Sequence, residues 1–315
     1  MKLQPKISYI NQVAILAGLI GVGFVIASFT AAGIWVVLTG KSIFTMEQDM
    51  LNPAFTNAAR WMQLIAASIM FFIPAIVFAR IINTQPFKQL GFSSLLNGKQ
   101  LILVLFIVFA GLALSGSLGT LNEMIPISKA WATKFKAAED AYNKQVLIIA
   151  KMNNWQEYIF ALIVIALAPA IFEEVLFRGA LQRTFQHWFG NISVAIVVTS
   201  IIFSLVHFSY YGFLARAGLG VVLGLIFYYS RNIWLCIWAH FLNNAIAVTA
   251  LYVLSLQNKN PETALKDNFP LYYGAIGLIV IVFLLAKLKK ESKIIGAEEL
   301  PDGSVSTINS NNPFE

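Results

Sequence analysis

Long apolar runs broken by short polar connections set the pattern of this chain. A bilayer core takes about 20 apolar residues per helix. Runs of that order recur at 12–38, 61–82, 101–119, 157–180, 192–209, 213–230, 232–256 and 271–288. They predict an all-α fold, a polytopic transmembrane helix bundle of about eight spans. Trp61 opens the second run and Pro74 loosens it. Only Ser230 to Asn232 separate the sixth and seventh, so a tight reversal is expected there. The connections 39–60 and 257–270 are short and polar, with Pro53 and Pro261. Residues 120–156 form the long extramembrane segment. Its KAWATKFKAAEDAYNKQ stretch predicts an amphipathic helix, on the membrane surface or capping the bundle. Residues 1–290 read as a single transmembrane domain, and the polar tail 291–315 as disordered.

Composition supports a membrane protein and narrows the partners. The chain is 58% hydrophobic and 12% charged, whereas soluble domains carry roughly a quarter charged residues. Its net charge of +7 comes from basic residues beside the apolar runs. Topology accounts for them, so the lipid bilayer is the expected partner and nucleic acid is not. Lys2, Lys6, Arg80, Lys88, Lys99, Arg183, Arg231 and the 287–293 lysine cluster fall on one side. Glu47, Asp49, Glu123, Glu139, Asp140, Glu262 and Asp267 fall on the other. Both termini are therefore expected in the cytoplasm, with the chain in a bacterial inner membrane. The run from Val13 to Leu38 is too long for a signal-peptide core and reads as the first span. A single cysteine, Cys236, excludes an intramolecular disulfide and a cysteine-cluster metal site.

Chemistry is concentrated in a few polar residues inside these runs. Glu173 and Glu174 interrupt IALAPAIFEEVLFRGAL, with Arg178 four residues past Glu174. Carboxylates at membrane depth are costly and usually functional. Glu174 and Arg178 share a helix face and can pair. Glu173 lies about 100° around the helix, so one carboxylate is a braced partner and the other faces a cavity. Phe203 and His207 repeat the four-residue spacing, as do His240 and Asn244; Asn243 is three from His240. Two histidines and a carboxylate (Glu174, His207, His240) suit a divalent metal such as zinc, with water in the fourth position. A metal-free arrangement works equally: Glu173 and His207 activate water, and His240 and Asn244 hold the oxyanion. Buried Glu, His and Arg also build proton relays and ion sites, and a transporter stays open on these residues. His187, beside Trp188, reads as an interfacial residue. Arg216 reads as a topology residue with an option on a substrate carboxylate. Gly220 and Gly224 permit a close helix crossing.

The three spacings together resemble a known family. Glu173-Glu174-Val-Leu-Phe-Arg178 is similar to the EExxxR motif of the CPBP intramembrane endopeptidases, the CAAX-protease and bacteriocin-processing family. Phe203 to His207 resembles its FxxxH motif, and His240 to Asn244 its HxxxN motif, in the same order. The resemblance covers roughly 157–250, which makes this the catalytic core. It implies a membrane-embedded endopeptidase, a metalloprotease, acting on a membrane-associated peptide of prenylated or bacteriocin type. It also implies roles. Glu173 activates water, and Glu174 ligates or positions with Arg178 bracing it. His207 holds water or metal, and His240 and Asn244 bind metal or stabilise the oxyanion. A bacteriocin self-immunity factor would carry the same motifs without cutting anything.

Overall fold

The computed structural model describes residues 7–259 and 269–298. Of the tail 291–315 expected to be disordered, 291–298 continue the last helix, and the residues from 299 onward lie outside the described residues. The architecture is all helical. Its elements are α1 (Tyr9–Thr39), α2 (Pro53–Ile82), α3 (Gly98–Glu123), α4 (Lys129–Ile149), α5 (Trp155–Phe189), α6 (Ile192–Leu205), α7 (Phe213–Ser230), α8 (Ile233–Leu256) and α9 (Leu271–Glu298).

Among the described residues, seven of these are long and apolar enough to cross a membrane. The protein is an integral polytopic membrane protein. The fifth expected span, 192–209, is corrected. It folds as α6, which is 14 residues long and about 21 Å at 1.5 Å per residue. A bilayer core is about 30 Å thick. The apolar run continues to Val206, but the chain leaves the helix there and turns back through 206–212. Phe208 takes φ 51 in that turn. A bulky residue rarely adopts this left-handed conformation, so the turn beside His207 is strained.

Helix ends follow the polar residues that flank the runs. Ser8, Asn97, Ser128, Asn154, Asn191 and Asn232 each accept a backbone N–H of the first helical turn. That is how Ser and Asn satisfy the unpaired donors of a helix start. The expected tight reversal between α7 and α8 is present. Arg231 takes a left-handed conformation, and the Asn232 amide donates to the Ser93 and Leu95 carbonyls.

The bundle is organised around α5. It packs against α2, α6 and α8, while α9 lies along α3, and α7 lies between α6 and α3. Every residue from Glu174 to Gln186 is buried. A buried helix is normally apolar all round, yet this stretch holds Arg178, Gln182, Arg183, Thr184 and Gln186. Most of these polar groups end on backbone carbonyls. Arg178 Nη2 donates to the Gly220 carbonyl at 3.2 Å, and Gln182 Nε2 to the Gly224 carbonyl at 3.1 Å. Four-residue spacing on α5 thus matches four-residue spacing on α7. The two glycines permit the approach: a Cβ on Gly224 would lie 2.9 Å from both Gln182 and Ile196, and one on Gly220 3.0 Å from Ser200. Arg183 reaches the Lys88 and Gln89 carbonyls of the α2–α3 connection.

The segment after α3 caps the other end. None of the residues of α4 is fully buried, but both its ends are tied down. Buried Arg60 of α2 donates to the Ile149 carbonyl at 2.9 Å and the Lys151 carbonyl at 2.6 Å. Cations commonly satisfy the last carbonyls of a helix in this way. Ser209 donates to Glu139 at 2.7 Å, and Phe135 stacks on Tyr210 at 4.5 Å between centroids. These two contacts hold α4 over the 206–212 turn.

Candidate functional site

Proline shapes the helix that carries the acidic pair. Pro169 has no N–H, so the carbonyl of Ile165, four residues earlier, loses its helical donor. The backbone widens to π geometry over Leu162–Leu167 and again over Val175–Gln182. Such bulges often sit at functional positions. Asn244 of α8 replaces the missing donor, its Nδ2 reaching Ile165 O at 3.4 Å. Asn243 Nδ2 donates to Asn244 Oδ1 at 3.2 Å. The Asn244 amide is therefore held from both ends, with a second N–H still available.

The two glutamates have separate surroundings. Glu174 is fully buried, and its Oε1 takes Arg178 Nη1 at 3.1 Å and His240 Nδ1 at 2.8 Å. An ionised carboxylate only accepts, so His240 donates from Nδ1 and presents Nε2 on its other edge. Glu173 keeps 15% of its side chain exposed, and its Oε2 is 4.0 Å from His240 Nε2. His240 thus stands between the two carboxylates. Phe203 fills the space beside them: its ring lies under the Arg178 guanidinium at 4.8 Å, 5.0 Å from the His207 ring and 6.1 Å from His240. That places a cation–π contact inside the network. His207 Nδ1 donates to the Phe203 carbonyl at 2.7 Å, leaving Nε2 for a ligand.

A cavity of about 660 Å³ opens onto these groups. Glu173, His207, His240, Asn243 and Asn244 line it, with Phe203 and Arg216. Glu174 and Arg178 do not reach it; they lie behind Glu173 and His240. Three helices distant in sequence therefore bring five of the seven expected polar residues to one space. His187 is elsewhere, stacked on Tyr9 at 5.9 Å. The remaining walls are mostly apolar and come from α2, α3, α4 and α7, with further residues of α5 and α8. Sequence reasoning missed the α4 contribution of Tyr142, Gln145, Val146 and Ile149. Their i, i+3, i+4, i+7 spacing was the available signal. Gln63 of α2 carried none.

The expected metal ligands do not fit a metal in this arrangement. Glu174 spends Oε1 on Arg178 and His240, and its Oε2 is buried away from the cavity. His207 and His240 each keep Nε2 free, so it is the carboxylate that the expected set lacks. Among the described residues, no group of three or more His, Cys, Asp or Glu side chains is placed to hold a metal ion. The set Glu174, His207 and His240 is therefore corrected to one carboxylate that anchors a histidine. No step below passes through a metal.

Comparison with known proteins adds one finding. Residues 155–246 match the family model described as Type II CAAX prenyl endopeptidase Rce1-like. The match spans α5 to the middle of α8 and contains all three motifs, under a third of the chain. It supports kinship with the CPBP-related proteases over that segment. No curated protein and no solved structure matches the chain.

Proposed function

We propose that the protein is an intramembrane endopeptidase that hydrolyses a peptide bond of a membrane-associated substrate with water activated by Glu173. The observation that carries this reading is the unequal placement of the acidic pair. Glu174 is locked to Arg178 and His240, whereas Glu173 faces the cavity next to His240 and His207. The family match over 155–246 points to the same reaction class.

Each residue then has a step. Glu173 accepts a proton from water, whose oxygen attacks the carbonyl carbon while the C=O electron pair moves onto oxygen. His207 Nε2 positions that water. The Asn244 N–H meets the developing oxyanion, where preorganised donors are most effective, and His240 joins it as the imidazolium, donating Nδ1–H to Glu174 and Nε2–H to the oxyanion. Collapse breaks the C–N bond, and the amine leaves with the proton held by Glu173. Glu174 and Arg178 act through His240 by fixing its orientation. The core for this chemistry is 157–250 within a single transmembrane domain of a bacterial inner membrane. Prenylated C-terminal and bacteriocin-type peptides are the substrate classes to test first.

The test compares peptides released from proteoliposomes containing wild-type protein and the Glu173→Ala and His207→Ala variants. Loss of a specific cleavage product in both, with helix content retained, supports the reading. Full cleavage by both variants rejects it. Solute flux abolished by Glu173→Ala, with no cleavage by wild type, would assign the cluster to transport instead.

A further inference from the structure

Arg216 is the one lysine or arginine lining the cavity among the described residues. It lies in the first turns of α7, with its backbone N–H on the Gly212 carbonyl at 3.0 Å. The guanidinium folds against Gly212, where a Cβ would come within 2.3 Å of Nη1. A side chain at this position would push the end of the arginine aside. Nη1 is buried and has no hydrogen-bond partner among the described residues. No carboxylate lies within ion-pair distance of it there, since the only ion pair of Glu173 is with His240. What Arg216 touches is the Tyr142 ring of α4, 5.5 Å from the guanidinium carbon. Its charge nonetheless acts on Glu173 and His207.

This combination is unusual for a structural arginine. Arg60, Arg178 and Arg183, the buried arginines of this bundle, each make at least two hydrogen bonds to carbonyl or carboxylate oxygens, although the Arg178 Nε also has no partner among the described residues. Arg216 spends none in this way and faces the same space as the reacting groups. A guanidinium in a mostly apolar cavity is matched best by a carboxylate, which it binds with two parallel N–H bonds. Tyr142 and Gln145 of α4 add polar atoms on the neighbouring wall.

We propose that Arg216 is a carboxylate-binding subsite that selects and positions the substrate, under the cover of α4. This rests on the peptidase reading. It adds that the peptide carries a carboxylate close to the scissile bond, from its own C-terminus or from an acidic side chain. Binding that charge at Arg216 fixes the register of the backbone against Glu173. Arg216 is a positioning residue and makes no bond to the reacting atoms.

The test uses three versions of one hydrophobic peptide: free C-terminus, C-terminal amide, and amide with one internal Asp. Their binding to the full-length Glu173→Gln protein in detergent is measured with and without Arg216→Gln, and their kcat/KM with the Glu173-containing protein. One carboxylate form is expected to bind about 10- to 100-fold better than the neutral amide. Arg216→Gln should reduce that ratio to near one, and Arg216→Lys should keep part of it. Whichever form is preferred identifies the source of the carboxylate. Equal binding of all three, or a preference untouched by Arg216→Gln, overturns the subsite. Because binding is read on the Glu173→Gln background, absence of cleavage would reject the peptidase reading while leaving an Arg216-dependent preference intact.

Discussion

Glu173 and Glu174 are neighbours in sequence but stand in differently built regions. On the Glu174 side, the interior of α5 is closed. Arg178, Gln182 and Arg183 end on carboxylate or carbonyl oxygens, and glycines on α7 bring the acceptors within reach. On the Glu173 side the groups line a cavity, and the pair Glu173–His240 stands at 4.0 Å. About 100° of helix rotation separates the two. The closed region makes a charged network tolerable in a bundle, and the open region has groups left over to act on something else.

Substituting one residue on each side sharpens this contrast. The largest effect is expected from Glu173→Gln, which removes the general base and should lower kcat by about 10²- to 10⁴-fold. Its thermal unfolding should stay close to wild type, because Glu173 supports little packing. Arg178→Ala should instead act on stability. It strands a buried carboxylate, at about 3–5 kcal/mol, measurable by unfolding in a denaturing detergent. If Arg178→Ala unfolds like wild type, the closed region is not built as described.

Asn244→Ala comes next, with kcat expected to fall about 10²- to 10³-fold for a lost oxyanion donor and KM little changed. Gly224→Val should cost about 1–3 kcal/mol by overpacking, since its Cβ meets Gln182 and Ile196 at 2.9 Å. The smallest effect is expected from chelation. Treating the purified protein with a strong chelator should leave peptide cleavage unchanged, because the carboxylate of the expected ligand set is already engaged. Loss of activity restored by zinc would show that the donors rearrange around a metal.

Much of the bundle was legible in hydropathy because lipid forces apolar runs to about one bilayer thickness. The reversal at Ser230–Asn232 followed from the short polar gap between two apolar runs. The end of α6 did not. Its apolar run passes Leu205, and the turn back is held by contacts to other parts of the chain: Ser204 donates to the Phe213 carbonyl at 2.7 Å and Ser209 to Glu139 at 2.7 Å. At the site, four-residue spacing was enough to pair Glu174 with Arg178. It could not show His240 between two glutamates, because that contact joins residues 66 apart in sequence. Arg216 was read as a topology residue with an option on a substrate carboxylate, because it opens its apolar run. Its place in the cavity comes from α4 folding back over the bundle, a long-range contact that no local pattern encodes.

Hydrolysis inside a bilayer requires that water be delivered to a depth where lipid excludes it. The shortness of α6 bears on that supply. Ending about 9 Å short of the hydrocarbon thickness, it exchanges two turns of greasy helix for a loop with polar backbone and Ser209. A full-length α6 would wall the histidine off in a dry medium. The truncated one places the polar backbone of 206–212 beside it, where the proposed reaction would draw its water. Cleavage rate should therefore track bilayer thickness as well as substrate sequence.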